Sequence, residues 1–583
     1  MKTSRRSLIK GAALGGVAAS AGALTACGEP KRGADAQNGA VDSEISTRTI
    51  AEAEKLQGLV YTPAERAMML EGLEENLEWL AKLRAVETPN SLAPALLFDP
   101  RLPGKSVGSQ KNVLTLGGDY SAPAPSSDDD IAFASVAQLG RWLRSGALTS
   151  ARLTEIYLTR IEKHDSRLHA FITVTPDIAR REAAKADADF AAGKDHGPLH
   201  GVPYGVKDLA DTKGVKTTWG AAPYRERIPD SDAEVVRKLQ RAGAVMLGKT
   251  SCGAIAYGDL WFGERTRNPW NPEEGSSGSS AGSASAVASG LCAFAIGTET
   301  LGSIVSPSER CGTTGLRPTF GRVSRAGFMA LCWSLDKAGP ICRTVEDTAL
   351  VLSQINGYDT DDANAARMGF TYDGTADVSG MTVGYVPEWF EKGDDVDRAA
   401  LAEMRALGVT LKEFPWPETD FDSLVQIVLV ESAAAFSDLT LSNRDDELTW
   451  QDKDAWPNTW RAARFVSAVD YVQIDRLRRR LMQELSAAFE GFDALIGPHS
   501  AGGALLATNC CGQPQLALRA GYAQTPNRTL FDNAEGPAEN AVTTRTPRGV
   551  SLWADIFEER KILALGRRLE ARLGVSRERP PGF

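Results

Sequence analysis

The chain has little of what many enzymes and binding proteins rely on. Among its 583 residues there are only five histidines, His164, His169, His196, His200 and His499. They are scattered, and none lies near the serine-rich stretch described below, so no local sequence supplies an imidazole base. Basic residues are not in excess: 65 Lys and Arg stand against 75 Asp and Glu, a net charge of -10. That balance favours solubility and excludes the basic patch a nucleic-acid partner would need. Cysteine is sparse, and no Cys-x-x-Cys spacing occurs, so metal binding has little support. Apart from Cys27 the cysteines are Cys252, Cys292, Cys311, Cys332, Cys342, Cys510 and Cys511, an odd number. They read mostly as small buried hydrophobes, with room for one disulfide whose partners the sequence does not name. Internal repeats are lacking too.

What is present is concentrated in Gly275–Pro307, GSSGSSAGSASAVASGLCAFAIGTETLGSIVSP. Nine of its 33 residues are serine, six are glycine and none is basic. A Gly/Ser linker would lack the apolar pattern of Ala284 to Ala295, which predicts a small-residue helix followed by a buried strand. The stretch therefore reads as a Gly/Ser loop, a closely packed helix, a strand and a second turn ending at Ser303. Two serine-bearing turns are brought to neighbouring ends of rigid elements.

These runs resemble the amidase signature family. The resemblance is carried by Gly278-Ser279-Ser280-Ala281-Gly282-Ser283, by Gly297-Thr298-Glu299-Thr300-Leu301-Gly302-Ser303-Ile304, and by Cys311-Gly312 through Ser324-Arg325. Upstream, Gly201-Val202-Pro203-Tyr204-Gly205-Val206-Lys207-Asp208 is similar to the segment that holds the family's catalytic lysine. The likeness covers about residues 131 to 575, weakest between Pro387 and Arg480, where substrate choice is expected to be made. It implies an α/β fold: a large mixed β-sheet covered on both faces by helices, one catalytic domain with an N-terminal helical extension.

Alternating helix and strand signals agree with that class. Val202 to Val206 reads as a strand carrying Lys207, Ala244 to Leu247 as a buried strand, and Gly248-Lys249-Thr250 as a turn. Thr62-Pro63-Ala64-Glu65 is a capping box with proline at the first helical position, so a helix begins there. Met69, Leu73, Leu77 and Leu80 fall on one face of it, which predicts a helical layer packed on the catalytic body. The first 27 residues are an address. Arg5-Arg6 before a Gly/Ala run to Leu24 resembles a twin-arginine export signal, and the run is too short and glycine-rich to span a membrane. Leu24-Thr25-Ala26-Cys27 resembles a lipobox, with Cys27 the lipidated residue; the alternative is ordinary cleavage after Ala26. The expected divisions are 1–27 signal, 28–125 tether and helical extension, and 126–578 catalytic domain. The protein is expected to be exported, periplasmic or membrane-anchored.

Amide hydrolysis needs a nucleophile, a base, an acid for the leaving nitrogen and donors for the oxyanion. A lysine replaces histidine if burial keeps it neutral, and Lys207, after an apolar strand, is placed for that; the plain alternative is a salt bridge to Asp208. By the resemblance, Ser303 is the nucleophile, Ser279 in a cis peptide the relay and Lys207 the base, the two serines standing 24 residues apart. The oxyanion donors are expected from the backbone of Thr300, Leu301, Gly302 and Ser303, with Ser280 and Glu299 in support. Leu301 stands where the family has a small or polar residue, a strained position if positive φ is required there. No cofactor and no metal are expected; the partner is a small-molecule amide. Two other readings are an α/β-hydrolase, which Gly278-Ser279-Ser280-Ala281-Gly282 formally matches but whose elbow needs a preceding strand where residues 268–274 read as loop, and a catalytically weak binding lipoprotein that has kept the fold. The tRNA-dependent transamidating branch is disfavoured by the export signal and the acidic charge.

Overall fold

The computed structural model describes residues 45–499, 501–528 and 542–583. The export signal, Cys27 and most of the tether lie outside the described residues. Within Ser46–Phe583, one compact unit, eleven strands form one sheet: β1 Phe171–Val174, β2 Pro203–Lys207, β3 Val245–Thr250, β4 Phe294–Glu299, β5 Thr314–Arg317, β6 Lys337–Cys342, β7 Thr382–Tyr385, β8 Thr410–Glu413, β9 Ala494–Pro498, β10 Gln515–Pro526 and β11 Thr543–Trp553. Their order is β8-β7-β9-β11-β10-β5-β6-β4-β2-β3-β1. The sheet is mixed: β3, β2 and β4 run parallel, while β6 is antiparallel to β4 and β5. Every residue of β2, β3, β5 and β6 is buried. A strand buried at each position must be covered on both faces, so the sheet is a middle layer between helices.

The strand β3 corrects one expectation. Gly248-Lys249-Thr250 is not a turn; it continues the strand, because a register shift at Tyr204/Gly205 absorbs the irregularity. Gly248 is there for close approach: a Cβ would stand 2.2 Å from the Thr173 carbonyl oxygen. A second correction concerns residues 268–274. They are not a loop, since Arg267–Asn268 and Asn271–Gly275 form a two-stranded hairpin outside the large sheet.

The N-terminal extension folds into helices α1 Thr47–Gln57 and α2 Pro63–Arg84, the latter capped by Thr62 and Glu65 as the capping box predicts. It is not the packed layer that the apolar spacing suggests. No residue of α2 is buried, and Met68, Leu77, Trp79, Leu80 and Leu83 are exposed. On the expected face Met69 and Leu73 are half-buried while Leu77 and Leu80 are exposed, so contact is confined to the first half of the helix; Met68 and Trp79 stand on a different side. Only Ile50 and Glu54 of α1 are buried, Glu54 being paired with Arg66 at 2.7 Å.

Candidate active site

Lys207 and Thr298 are 91 residues apart, and the parallel pairing of β2 with β4 removes that distance. Val206 stands opposite Ile296, so the carboxyl ends of both strands, where ligands bind in parallel α/β sheets, arrive side by side. Lys207 is fully buried. Its Nζ donates to Ser279 Oγ at 2.8 Å, Thr298 Oγ1 at 2.8 Å, Ser280 Oγ at 3.1 Å and the Thr298 carbonyl at 3.4 Å. No carboxylate pairs with it among the described residues. Asp208 turns away and accepts from the Thr218 N–H at 2.9 Å and hydroxyl at 2.5 Å, so the Lys207–Asp208 salt bridge is absent. Burial disfavours the ammonium, and the nearest acidic groups compensate only in part, so Lys207 is brought down to about 7.

The serine loop reaches this amine from the other side. The Gly278–Ser279 peptide is cis, and the helix α3 Ala281–Ala288 follows it, buried at every residue. Ser280 Oγ donates to the Thr298 carbonyl at 3.0 Å and accepts from the Thr298 N–H at 3.1 Å, tying the loop to β4. Gly297 makes that contact geometrically open: a Cβ there would sit 2.8 Å from Ser280 Oγ. The Ser280 N–H donates to the Ser303 carbonyl at 3.0 Å, which sets residues 279–280 beside 303. The structure thus brings Lys207, Ser279, Ser280 and Ser303 into one region, with the Lys207–Ser279 leg closed by a hydrogen bond. Among the described residues, Ser303 Oγ accepts or donates no such bond.

Between β4 and the helix α4 Val305–Cys311, the chain turns through residues 300–304. The left-handed position falls on Gly302, φ 91°, and not on Leu301, so the leucine carries no backbone strain; its side chain packs partly buried on the core. Among the described residues, no acceptor meets the N–H groups of Leu301, Gly302 or Ser303, a set of donors free to serve a ligand oxygen. Thr300 is held from the other side, its hydroxyl donating to Asp336 at 2.5 Å. Glu299 organises the turn. One carboxylate oxygen accepts from the Ile304 and Val305 N–H groups at 2.9 and 3.1 Å, the other from Arg317 at 3.0 Å and Asn509 at 2.9 Å. Burial alone would raise this carboxyl, but Arg317 and Lys337 outweigh it and hold it at about 2. Sequence reading missed Thr298, Arg317, Asp336 and Asn509. Thr298 and Arg317 lay inside motif runs and signalled nothing by type, while Asp336 comes from the turn before β6 and Asn509 from a helix 210 residues away from Glu299.

A cavity of about 480 Å³ opens against this region. Thr298 and Thr300 line it, together with the loop from Arg325 to Ala338; Ser279 and Ser303 lie outside its lining. Among the described residues, none between Pro387 and Arg480 lines this cavity. In that segment Trp456 and Trp460 stack at 5.6 Å, and Trp460 stacks on Phe436 at 5.4 Å. The seven described cysteines are buried and unpaired. Asp189, His196 and His200 place ligand atoms within 4.8 Å of one another, but Asp189 is already engaged by Lys185 at 2.6 Å, and none of the three hydrogen-bonds to the Lys207 network.

A family model described as Amidase matches residues 152–563. A glutamyl-tRNA(Gln) amidotransferase chain from Methylobacillus flagellatus is 31% identical over 490 residues, covering 74% of this chain and 95% of that one. The protein of the same name from Thermosynechococcus vestitus is 39% identical over 312 residues, 52% of this chain; the match spans only 64% of that relative's length. Among solved structures, the native peptide amidase from Stenotrophomonas maltophilia superposes with a TM-score of 0.66 at 30% identity, covering 77% of this chain and 98% of its own.

The buried Glu299–Arg317 pair, both side chains 0% exposed, yields a stability prediction. Removing the carboxylate in Glu299→Ala leaves Arg317 unpaired and should cost about 3–5 kcal/mol in urea unfolding. Because the folded-state pKa lies below the ordinary 4.5, the carboxylate stabilises fully above that value and the contribution is lost as pH falls towards 2. Unfolding midpoints should therefore drop across this window in the parent and drop less in Glu299→Gln.

Proposed function

The chain belongs to the amidase family, and from that premise we propose that it hydrolyses the C–N bond of a small carboxamide through Lys207, Ser279 and Ser303. The observation that carries the reading is the buried Lys207 amine, without a carboxylate partner among the described residues and 2.8 Å from Ser279 Oγ. An amine brought down to about 7 is substantially neutral at neutral pH, and a neutral amine accepts a proton. In this mechanism Ser303 Oγ attacks the amide carbon while its proton passes to Ser279, and the Ser279 proton passes to Lys207. The tetrahedral oxyanion is met by the backbone N–H groups of Leu301, Gly302 and Ser303, with Thr300 completing the turn. Collapse expels the nitrogen, which takes the proton back through Ser279, leaving an acyl group on Ser303. Water then repeats the sequence, releases the carboxylic acid and restores the serine. Ser280 and Glu299 are positioning residues: the first ties the relay loop to Thr298, the second holds the turn that presents Ser303.

Residues 1–27 complete the proposal as an export signal, with Cys27 the site of lipid attachment, 28–125 as tether and extension, and 126–578 as the catalytic domain. The support is sequence pattern, the Arg5-Arg6 pair and the Leu24-Thr25-Ala26-Cys27 run. The protein then works outside the cytoplasm, periplasmic or held to a membrane.

A serine-reactive fluorophosphonate should label the folded protein, and labelling should vanish in Ser303→Ala; labelling that persists in that variant rejects Ser303 as nucleophile. Ammonia release from a panel of carboxamides should follow a rising pH limb with a midpoint near 7, because the reactive form of Lys207 is unprotonated. Lys207→Met should lower kcat/KM by at least about 10²–10⁴-fold and flatten that limb. For the anchor, metabolic labelling with a radioactive fatty acid should mark the parent and not Cys27→Ser, whereas an unlabelled product beginning at Cys27 would rule the anchor out.

A further inference from the structure

Residues 90–98, between the helical extension and the catalytic body and before the start of the family match at residue 152, are fastened at each end. At the first, the Asn90 side chain bonds both backbone polar groups of one residue: its Nδ2 donates to the Ala330 carbonyl at 2.8 Å, and its Oδ1 accepts from the Ala330 N–H at 2.8 Å. The Asn90 carbonyl also accepts from the Trp333 indole at 3.3 Å. At the second, the Phe98 carbonyl accepts from Asn364 Nδ2 at 2.8 Å. The Phe98 ring meets Phe320 edge-on at 5.0 Å, and the Arg478 guanidinium lies over it at 3.7 Å. Ala330, Trp333 and Asn364 all line the cavity that reaches Thr298 and Thr300, and so do Ser91, Ala93 and Leu97 from the span between the two fastenings.

We infer that residues 91–97 are a crossbar at the mouth of the substrate cavity, selecting compact amides with an apolar group over long-chain or polymeric ones. The inference rests on the hydrolase reading above and names its substrate class. Size follows from the closure at both ends, because a cavity of about 480 Å³ with a pinned span at its edge admits a compact ligand and blocks the continuation of an extended one. Polarity follows from how the wall spends its polar groups. Asp336 is used by Thr300, the Leu331 N–H at 2.8 Å and the Cys332 N–H at 3.0 Å. Arg325 is used by Asp362 at 3.0 Å, Asn364 at 2.7 Å and the Trp333 carbonyl at 2.6 Å. Of the other charged lining residues, Arg237 pairs with Glu234 at 2.7 Å and lies 3.8 Å from Asp361, Asp232 accepts from the Lys213 N–H at 2.7 Å, and Lys337 donates to the Leu335 carbonyl. Phe328, Met329, Leu331 and Trp333 supply apolar surface beside them. Leu97 is 49% exposed, so the crossbar has one side in the cavity and one in solvent, and a bulkier side chain is tolerated there.

The test uses the full-length protein and two fluorophosphonates, one with a methyl and one with a dodecyl substituent, with labelling rates followed by intact mass. Asn90→Ala, which releases the first fastening, should speed dodecyl labelling about tenfold and leave methyl labelling within about twofold. Leu97→Trp should slow dodecyl labelling about tenfold with methyl labelling unchanged, and it carries the test alone should Asn90→Ala fail to fold. A dodecyl-to-methyl ratio that stays within about twofold of the parent in every folded variant overturns the crossbar while the hydrolase reading stands. Failure of the methyl probe to label the folded parent overturns the hydrolase reading, and the crossbar's role falls with it.

Discussion

A lysine ammonium placed in the interior with no counter-charge is the constraint on which the rest of the site depends. Burying that charge costs several kcal/mol unless a carboxylate accompanies it or the group gives up its proton. Here β2 delivers Lys207 into a layer buried on both faces, and the surrounding groups offered are hydroxyls and a carbonyl: Ser279, Ser280 and Thr298. Hydroxyl partners serve a neutral amine as well as a charged one, because they both donate and accept. Asp208, the adjacent carboxylate, is kept for Thr218. Had it turned towards Lys207, the amine would be an ordinary ion-pair partner and useless as a base.

A few residues along, the opposite choice is made. Glu299 and Arg317 are buried as a pair, and two more donors, Ile304 and Val305, converge on the same carboxylate. A paired charge is rigid, and rigidity suits the turn from Thr300 to Ile304, where the Leu301, Gly302 and Ser303 N–H groups stay unpaired. The site thus combines an unpaired, titratable charge with a paired, permanent one. The two are connected by β4, which carries Thr298 to the first and Glu299 to the second.

Outside the family match the extension shows that apolar spacing alone does not decide packing. The capping box Thr62–Glu65 is local chemistry and starts α2 where expected, yet none of the residues that line up along that helix is buried, and Leu77 and Leu80 are exposed. The irregular segment after it, with no periodicity to read, is the part that reaches the cavity. Its anchors are backbone groups of Ala330 and Phe98, which no side-chain pattern announces.

By itself the sequence determined the elements whose signals are local: the small-residue helix and buried strand of the serine stretch, the strand ending in Lys207, and the capped helix start at Thr62. Its motifs also named Lys207, Ser279, Ser280, Glu299 and Ser303, which do converge. Tertiary structure alone decided that Asp208 turns away, that the left-handed residue is Gly302 and not Leu301, that Arg317 and Asn509 share Glu299, and that loops at 325–338 and 361–364 with the 91–97 span wall the cavity. The physical reason is range. Caps, turns and periodicity are set within a few residues, whereas sheet register and the partner of a buried charge are set by segments far apart in the chain, 210 residues for Asn509 and Glu299.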